Sequence, residues 1–323
     1  MKKIAVVLGM MVILIFSSNA FAAGYYDVRT SDWYYQSVTK LSDMKMINGY
    51  GNGKFLPLNN ITRAEFVTIL AKASTDNFTA NSSTYGDTTS SHWAYHQVGW
   101  AAEKGITTGK ENNRFDPEGS ITREEMVTMI YRYMGYKGNK PGISVSPYYS
   151  DFSTVSQYAQ EPVKALFGFG GINGVGNNKF APQAVAERAH AAQLIYNNLV
   201  LNPRQRTTIF AQNFLGWKYV ANGTTPEGGF DAAGFAHYVY AQFGVNLTGD
   251  EAAMQTQGKE VSKSNLNMGD LLCFGGKIPH IGIYLGNGKF IHAVNPQSGV
   301  IITNLSADYY TKNFISGRRL FNF

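Results

Sequence analysis

The sequence predicts a multidomain protein in which an all-α region of three repeats precedes a C-terminal α+β domain. The first observation is a motif of constant order that occurs three times before residue 200, which indicates a repeat architecture. The second is that this repetition stops after Pro203, where helical segments followed by strand-like segments begin. Helices followed by a run of neighbouring strands are typical of an α+β domain.

The first residues have the pattern of a secretory signal peptide. Lys2 and Lys3 precede an apolar run over residues 4–16, and residues 19–23 (Asn-Ala-Phe-Ala-Ala) supply a small-x-small cleavage pattern. We therefore predict a signal peptide over residues 1–22 and an exported protein. No later stretch reaches the roughly 18 to 20 apolar residues that a membrane helix needs, so no membrane span is expected.

Composition narrows the classes of ligand. The sequence has one cysteine, Cys273, so no internal disulfide can form and the core must hold an exported domain together. The formal charge of +6 falls to +4 without the two signal-peptide lysines. This mild, dispersed excess favours anionic polymers, such as those of a cell wall, over nucleic acid. Six histidines and one cysteine without ligand spacing predict no metal site and no cofactor.

Three repeats follow a single register. Their openings, Tyr-x-Asp, begin at Tyr25, Tyr85 and Tyr149, which are 60 and 64 residues apart. Each opening precedes an aromatic residue, a Gly/Asn-rich turn that ends in Phe-x-Pro, and an arginine eight residues after that phenylalanine. These positions are Trp33, Trp93 and Tyr158; residues 48–57, 108–117 and 173–182; and Arg63, Arg123 and Arg188. The repeats are predicted over residues 24–80, 84–140 and 148–200.

Each repeat is predicted to be a helical hairpin. Apolar residues over 33–46 have helical spacing, residues 51–53 (Gly-Asn-Gly) must turn, and a second helix begins near Thr62. Residues 62–65 and 122–125 read Thr-Arg-x-Glu, a capping box in which the threonine and the glutamate satisfy backbone donors. The threonines and glutamates therefore have a sufficient structural explanation.

The repeated arginine has two interpretations. An exposed guanidinium at a helix N-terminus, beside free N–H donors and the positive end of the helix dipole, suits an anion. The alternative is an arginine that pairs with a neighbouring carboxylate. In the third repeat, residues 186–190 read Ala-Glu-Arg-Ala-His and lack a capping box, so this repeat is expected to bind a ligand less well.

The order Tyr-x-Asp, Trp, Gly-rich turn, Phe-x-Pro and Ile-Thr-Arg-x-Glu resembles the surface-layer homology (SLH) domain, in three copies over residues 24–198. The resemblance implies one pseudo-threefold module that attaches non-covalently to the cell envelope, through a secondary cell-wall polymer or modified peptidoglycan. It also implies which residues line ligand grooves between repeats: Arg63, Arg123, Arg188, Trp33, Trp93, Gly49 and Gly109. The third repeat departs from the family at Tyr158, Glu187 and His190.

The C-terminal region is predicted to contain two helices followed by strands, joined to the repeats by a short linker. The helices are expected over residues 209–215 and 235–243, and the strands over residues 269–274, 280–285, 289–294 and 299–302. Residues 286–288 (Gly-Asn-Gly) predict a hairpin turn, because positive φ is favourable there. His280 and His292 flank this turn, so neighbouring antiparallel strands can place both rings on one face.

This layout suits nucleophilic catalysis. A cysteine at the start of a helix has its thiolate stabilised by the helix dipole, and a histidine on a facing strand can complete an ion pair. A third polar group then orients the imidazole. Two histidines across one hairpin, next to a helix preceded by Asp231, fit this arrangement better than they fit isolated core residues.

The motifs of this region resemble the NlpC-type cysteine peptidases, papain-like bacterial endopeptidases that cut peptidoglycan stem peptides, over residues 205–323. The resemblance places Ala232 where the family has its nucleophilic cysteine, His280 as the general base and His292 as its orienting partner. It rests on the segments Gly216-x-x-Tyr219-Val220, Phe230-Asp231-x-x-Gly234-Phe235, Gly269-Asp270-Leu271, residues 280–286 and residues 290–293.

The same resemblance implies the substrate site. Tyr219 and Asp231 would hold the free amine end of an L-Ala-γ-D-Glu peptide, and Ala233 replaces the family's serine at that site. The implied partner is therefore peptidoglycan or a muropeptide. Ala232 has a methyl group where a thiolate is required, so no acyl-enzyme can form, and loss of a nucleophile typically costs several orders of magnitude in rate.

Two explanations account for the alanine at position 232. Either the chain was altered at one position, or it is a natural pseudoenzyme. Further departures at Ala233, residues 221–223 and residues 248–249 favour natural loss. Cys273 is predicted to be buried in an apolar setting with a raised pKa, and therefore not to replace the missing nucleophile.

Three classes of function stay open. The favoured one is an envelope-anchored pseudoenzyme that binds muropeptides. The second is an active endopeptidase that cuts the bond between D-Glu and the diamino acid, which requires a cysteine at position 232 in the parent or an unforeseen nucleophile. The third is a purely structural envelope protein, which would have no need for a polar cleft around Tyr219, Asp231 and the two histidines.

Overall fold

The structure is a computed structural model that describes residues 21–22, 24–79, 81–142, 145–276 and 279–321. The predicted signal peptide lies outside the described residues except for Phe21–Ala22. Over the described ranges, no helix combines the length and the apolar character needed to cross a membrane.

Each repeat contains the predicted pair of helices. They are α1 (Tyr35–Asp43) and α2 (Arg63–Ser74), α3 (Tyr95–Glu103) and α4 (Arg123–Tyr136), and α5 (Gln157–Gly168) and α6 (Arg188–Ile195). Both predicted capping boxes are present, at Thr62 with Glu65 and at Thr122 with Glu125. The third repeat has no side-chain cap at Glu187, and a π-helical turn, Tyr196–Val200, continues α6.

The repeat region is not entirely α-helical, contrary to the prediction. Strands β1 (Phe21–Ala22) and β2 (Tyr25–Arg29) form a small antiparallel ribbon ahead of α1. The sequence reading missed it because the opening Tyr-Tyr-Asp was treated only as a motif, and because its partner strand is two residues long. Such a short strand carries no periodicity.

The aspartate that opens each repeat holds the Phe-x-Pro turn. Asp27 accepts hydrogen bonds from the backbone N–H groups of Phe55 and Leu56, both at 2.8 Å. Asp87 and Asp151 make the same pairs of bonds in their repeats. The residue between Phe and Pro has a positive φ in every repeat, for example 58° at Leu56, which is unfavourable for a residue with a side chain. The paired bonds hold the turn in this conformation, which explains the spacing of the motif.

The arginines close the repeats into a ring. Each donates from Nε to a carbonyl oxygen in the turn of the next repeat, and the third repeat returns to the first. The bonds run from Arg63 to Phe115 (2.7 Å), from Arg123 to Phe180 (2.9 Å) and from Arg188 to Phe55 (3.0 Å). A cyclic set of equivalent bonds gives the region its pseudo-threefold arrangement.

The C-terminal region has the predicted α+β architecture. Its helices are α7 (Pro203–Gln212), α8 (Ala232–Ala241), α9 (Glu251–Met254) and α10 (Asp308–Asn313). A ribbon of β3 (Thr224–Thr225) and β4 (Gly229–Phe230) precedes α8. The main sheet contains β5 (Lys259–Val261), β6 (Leu271–Phe274), β7 (His280–Gly286), β8 (Lys289–Ala293), β9 (Val300–Asn304) and β10 (Phe314–Arg319). All its pairs are antiparallel, in the order β5-β10-β6-β7-β8-β9.

Sequence reading found four of these strands and missed β5 and β10. Both missed strands are polar, Lys-Glu-Val and Phe-Ile-Ser-Gly-Arg-Arg, and they pair with each other at one side of the sheet. The first helix also begins earlier than expected, at Pro203 rather than Ile209. Asn202 and Gln205 form a capping box there, and proline occupies the first turn. Both features are helix-start signals in the sequence, but the prediction did not use them.

Only residues 201–202 connect the two regions, in agreement with the predicted short linker. Helix α7 begins three residues after the π-helical turn of the third repeat, and aromatic side chains pack across the junction. Tyr149 donates from its hydroxyl to Asn213 Oδ1 at 2.9 Å, and Gln242 Nε2 donates to the carbonyl oxygen of Gly168 at 3.1 Å. The aromatic pairs include Tyr148 with Trp217, Phe167 with Phe210, and Tyr148 with Phe214. The two regions therefore share a continuous apolar core.

Candidate functional site

The hairpin of β7 and β8 brings the two predicted histidines together. Its turn is Gly-Asn-Gly, with a φ of 49° at Asn287, as expected for a tight hairpin. Ile283 lies opposite Ile291, so His280 and His292 occupy diagonal positions on one face of the sheet. His280 Nε2 and His292 Nδ1 are 2.6 Å apart. The prediction that both rings share a face is confirmed.

Thr303 extends this pair into a chain of three polar groups. His292 Nε2 lies 2.8 Å from Thr303 Oγ1. Ile301 is the direct partner of His292 across β8 and β9, and Thr303 is two residues further along the same strand and face. The sequence reading missed Thr303, because the register between β8 and β9 is needed to identify it.

Burial keeps both histidines neutral near neutral pH. Their rings lie among aromatic side chains, with ring centroids 4.4 Å apart for Phe290 and His292 and 5.2 Å apart for His292 and Tyr310. Desolvation lowers the pKa of His280 to about 4. Desolvation, with a smaller effect from His280, lowers the pKa of His292 to about 3. Neutral imidazoles can accept protons but supply no positive charge to a neighbouring anion.

The hydrogen-bond chain permits a tautomer suited to a general base. If His280 donates from Nε2 to His292 Nδ1, then His292 donates from Nε2 to the hydroxyl oxygen of Thr303. His280 Nδ1 then carries a lone pair, and it makes no hydrogen bond to any part of the chain that the structure describes. In this arrangement His292 orients the ring of His280, and Thr303 orients His292.

Ala232 is the first residue of α8 and is 5% exposed. Helix α8 packs against β7 and β8, the strands that carry the histidines. Ile281 and Ile291 belong to the same core as Ala232 and alternate along their strands with the two histidines. A methyl group at the helix start offers no nucleophile, acid or base to this region.

Asp231 caps α8 and stabilises the backbone around the start of this helix. Its Oδ1 accepts from the backbone N–H of Gly234 at 2.7 Å, and its Oδ2 accepts from that of Asn222 at 2.9 Å. Each carboxylate oxygen keeps a further lone pair. The carboxylate thus fixes the start of α8 and the preceding loop, while it keeps the capacity to accept from a ligand.

The phenol of Tyr219 is influenced by the charges of two acidic groups. It is half-buried, and its pKa is raised, first by burial and then by the negative charges of Asp231 and Glu251. Glu251 begins α9 and was not identified from the sequence. Ala233, the second residue of α8, is also half-buried. Two carboxylates near one phenol make a region that favours an amine over an anion.

Cys273 is fully buried on β6. Burial raises the pKa of its thiol to about 11, so it is protonated at neutral pH and a poor nucleophile. The predicted burial of Cys273 is therefore observed, and its raised pKa supports the interpretation that it does not replace the missing cysteine. Within the described ranges, no group of three or more His, Cys, Asp or Glu side chains could hold a metal ion.

The repeat arginines are not exposed, contrary to the first interpretation of the motif. Arg63 is 2% exposed and Arg188 is 7% exposed, while burial lowers the pKa of Arg123. The backbone N–H groups at the helix starts are not free either. Those of Arg63, Arg123 and Arg188 donate to carbonyl oxygens of Gly119, Ala184 and Asn59.

Carboxylates instead neutralise two of these arginines, as the alternative interpretation expected. Arg63 Nη1 lies 2.7 Å from Glu125 Oε1, and Arg188 Nη1 lies 3.6 Å from Glu65 Oε1. Arg123 donates from Nη2 to the carbonyl oxygen of Asn173 at 3.1 Å. All three arginines therefore join neighbouring repeats.

Several of the predicted groove residues line cavities between the repeats. One, of about 380 Å³, is lined by Gly49, Glu65, Lys72, Trp93 and Arg188 among others. Another, of about 510 Å³, is lined by Trp33, Arg123, Asn173, His190 and Asn197 among others. The side chains of Trp33 and Trp93 are 56% and 54% exposed.

Gly49 and Gly109 allow close approach of the chain within their repeats. A Cβ atom at Gly49 would lie 2.4 Å from the carbonyl oxygen of Lys54, and one at Gly109 would lie 2.7 Å from that of Arg114. It would also overlap the ring of Tyr25 or Tyr85. Packing within the repeats therefore requires glycine at both positions, independently of any ligand in the cavities.

Two protein families match the chain. The model of the NlpC/P60 family matches residues 216–319, and that of the S-layer homology domain matches residues 24–67, 84–127 and 148–192. The NlpC/P60 match contains Tyr219, Asp231, Ala232 and both site histidines. The S-layer homology matches contain the three repeat arginines.

Relatives resemble the two halves of the chain separately. The protein named murein DD-endopeptidase MepS/murein LD-carboxypeptidase of Escherichia coli strain K12 is 38% identical over 135 residues, 40% of this chain and 71% of the relative. The endoglucanase of Bacillus sp. strain KSM-635 is 31% identical over 55% of this chain, which spans 19% of that relative. The cellulosome-anchoring protein of Acetivibrio thermocellus is 32% identical over 55% of this chain and 41% of its own length.

Solved structures of NlpC/P60 domains are also similar to part of the chain. The NlpC/p60 domain of the peptidoglycan hydrolase SagA is 29% identical, with 37% of this chain and 99% of that chain covered and a TM-score of 0.32. An NlpC/P60 family protein from Bacillus cereus is 31% identical, with 36% and 40% covered and a TM-score of 0.34.

Proposed function

We infer the function of this chain from its family: it belongs to the NlpC/P60 family and carries three S-layer homology repeats. On this premise we propose an exported protein, anchored in the cell envelope, whose C-terminal domain binds peptidoglycan stem peptides without cutting them. The proposed units are the three repeats over residues 24–80, 84–140 and 148–200 and the peptidase-like domain over residues 205–323.

The observation that carries this proposal is an intact histidine pair on the strands against which the helix that begins at Ala232 packs. His280, His292 and Thr303 form a hydrogen-bonded chain. In the tautomer in which His280 donates from Nε2, its Nδ1 makes no hydrogen bond among the described residues and can act as a base. Ala232 begins the helix that packs on their strands but has no group that can attack a carbonyl carbon. The base and its orienting partner thus have no nucleophile to activate, which leaves binding as the activity that the site supports.

The proposed ligand contact is with the amine end of the stem peptide. The negative charges of Asp231 and Glu251 both act on the phenol of Tyr219, and an ammonium group would be attracted to them. The NlpC/P60 relative from Escherichia coli is named a murein endopeptidase, which supports a muropeptide ligand for this domain.

The repeats are proposed to bind an envelope polymer. The solvent-exposed rings of Trp33 and Trp93 border the two cavities between repeats, and flat rings of this kind provide contact surface for polymer units. The half-buried Arg123 and the buried Arg188 line these cavities. A relative with similar repeats is named a cellulosome-anchoring protein.

Restoring the nucleophile tests the proposal. The protein without residues 1–22 and its Ala232→Cys variant are incubated with peptidoglycan fragments, and new amine ends are followed by mass spectrometry. Muropeptide binding is measured by calorimetry on the same samples. We expect binding by both proteins and cleavage by the variant alone, at a rate at least about 1,000-fold above the background.

Two controls make the result specific. Ala232→Ser adds a hydroxyl of similar size but no thiol, and Ala232→Cys combined with His280→Gln removes the base, so both should stay near the background. Cleavage by the chain as written would contradict the proposed pseudoenzyme. Absence of muropeptide binding in both proteins would favour a purely structural domain.

An active endopeptidase is the second candidate. The histidine chain favours it, because a pseudoenzyme has no need for an oriented base. This candidate requires a cysteine at position 232 in the parent chain and predicts cleavage between D-Glu and the diamino acid. Cleavage by the Ala232→Cys variant at a rate typical of an enzyme, about 1 per second or faster, would support an otherwise complete active site.

A further inference from the structure

A large cavity lies at the junction of the repeat region and the C-terminal domain. Its volume is about 820 Å³, which is within the range of sites for small organic ligands. Both regions contribute to its wall, the first through residues such as Met134 and Phe169 and the second through Arg206 and Phe243. It is formed by elements other than those that carry His280 and His292.

Arg206 is a buried cation without a counterion in this wall. It is 9% exposed, and its guanidinium lies over the ring of Phe169 at 3.7 Å. Nη1 donates to the carbonyl oxygen of Leu201 at 2.6 Å, but Nε is buried and has no hydrogen-bond partner. No carboxylate pairs with it in the described residues, and burial lowers its pKa to about 10, so it remains charged at neutral pH.

Two lysines add to the positive charge of the same cavity. Lys137 and Lys140 both line it. Each lysine forms an ion pair, at 3.6 Å from Lys137 Nζ to Asp76 Oδ1 and 3.5 Å from Lys140 Nζ to Glu161 Oε1, and Lys137 Nζ also donates to the carbonyl oxygen of Ser74 at 3.0 Å. Neither of these carboxylates belongs to the wall, and no acidic side chain lines the cavity over the described ranges.

The remainder of the wall is largely apolar. Its larger apolar side chains are Met46, Tyr133, Met134, Phe169, Leu199 and Phe243. A buried, unneutralised guanidinium is unfavourable by itself, and its planar fork matches a carboxylate. Apolar surface beside it would accept a hydrocarbon group. The wall therefore combines the two features that an amphiphilic anion requires.

We propose that this cavity binds a small amphiphilic carboxylate, with its acid group on Arg206 and the two lysines and its apolar body against the methionines and Phe243. Such a ligand would contact the repeats and the C-terminal domain at once. Its binding would therefore strengthen the junction between the anchor and the peptidase-like domain. This inference does not depend on muropeptide binding.

Calorimetry with three simple probes tests the proposal on the full chain without residues 1–22. Decanoate below its micellar concentration carries both the charge and the apolar body, decanol lacks the charge, and acetate lacks the body. We expect decanoate to bind with a stoichiometry of one, and decanol and acetate to bind at least about tenfold more weakly. The double substitution Lys137→Gln and Lys140→Gln should weaken decanoate binding roughly three- to tenfold.

A matched control and a substitution of Arg206 make the test decisive. Lys259→Gln with Lys289→Gln removes the same two charges from exposed positions on β5 and β8 and should leave decanoate binding unchanged. Arg206→Gln should abolish binding; if it does not fold, the lysine pair still tests the charge requirement. Equal affinity for decanoate and decanol, no effect of the lysine pair, or no decanoate binding would each overturn the proposal.

Discussion

The repeat region and the C-terminal domain both carry polar motif residues. These side chains differ in whether all their polar atoms have hydrogen-bond partners within the chain. In the repeats, Asp27 accepts from two backbone N–H groups, and Arg63 donates to a carbonyl oxygen and to Glu125. In the C-terminal domain, His280 retains a ring nitrogen without a hydrogen bond among the described residues. A motif residue whose bonding capacity is filled by its own chain is explained by folding, whereas an unused polar atom in a buried site indicates chemistry or a ligand.

Removal of Arg63 should have the largest effect on stability. Arg63→Met breaks a buried ion pair and the bond to Phe115, and we expect a loss of about 3 to 5 kcal/mol in the free energy of unfolding. Urea denaturation measures it. Arg114→Met is the matched control, because Arg114 is exposed and pairs with Asp87 at 3.3 Å, so it should cost about 0 to 1 kcal/mol. Equal losses in both variants would show that the ring does not depend on its buried arginines.

Acid should destabilise the C-terminal domain through its histidines. The folded pKa values of His280 and His292 lie below the unfolded value of 6.5, so the unfolded chain binds more protons as pH falls. Their stabilising contribution is complete above pH 6.5 and is lost as pH falls toward 4. One pKa unit corresponds to about 1.4 kcal/mol, and we expect a loss of a few kcal/mol between pH 7 and pH 4.5.

A double variant isolates the histidines from other titrating groups. His280→Gln with His292→Gln removes both imidazoles and should flatten the decline of unfolding free energy with pH, measured by urea denaturation at several pH values. The carboxylates of the repeats titrate identically in both proteins. A decline that is unchanged in the double variant would mean that these histidines are not buried as neutral groups.

Loss of the Thr303 hydroxyl should have the smallest effect. Thr303→Val preserves the shape of the side chain but removes the partner of His292 Nε2, and we expect a loss of about 1 to 2 kcal/mol in unfolding free energy. Nuclear magnetic resonance of the histidine ring should also show a changed tautomer. Tyr310→Phe removes a hydroxyl from the same cluster, one without a hydrogen bond in the described part of the chain, and should leave the tautomer unaltered.

Local features of both regions could be predicted from the sequence. The capping boxes at residues 62–65 and 122–125 and the hairpin turn at residues 286–288 depend on neighbours within a few positions. The number and spacing of the repeats could be predicted because the same local pattern occurs three times. The pairing of His280 with His292 followed from one tight turn between two strands.

The features that could not be predicted join residues far apart in the chain. Arg188 contacts a turn 133 residues earlier, so its burial could not be inferred from the charged residue and helix start alone. Strands β5 and β10 were missed because their polar sequences form strands only when paired with each other and with β6. The burial of Arg206 likewise depends on the docking of α7 against Phe169.

The sequence by itself determined the repeats, the capped helix starts at Thr62 and Thr122, the histidine hairpin and the absence of a nucleophile at position 232, because each depends on residue identity or on local spacing. Only the tertiary structure decided that the arginines close a ring, that Thr303 completes the histidine chain and that a cationic cavity lies between the two regions. These features require backbone groups from distant segments to meet. Burial then determines which polar groups are satisfied within the chain and which remain available to a ligand.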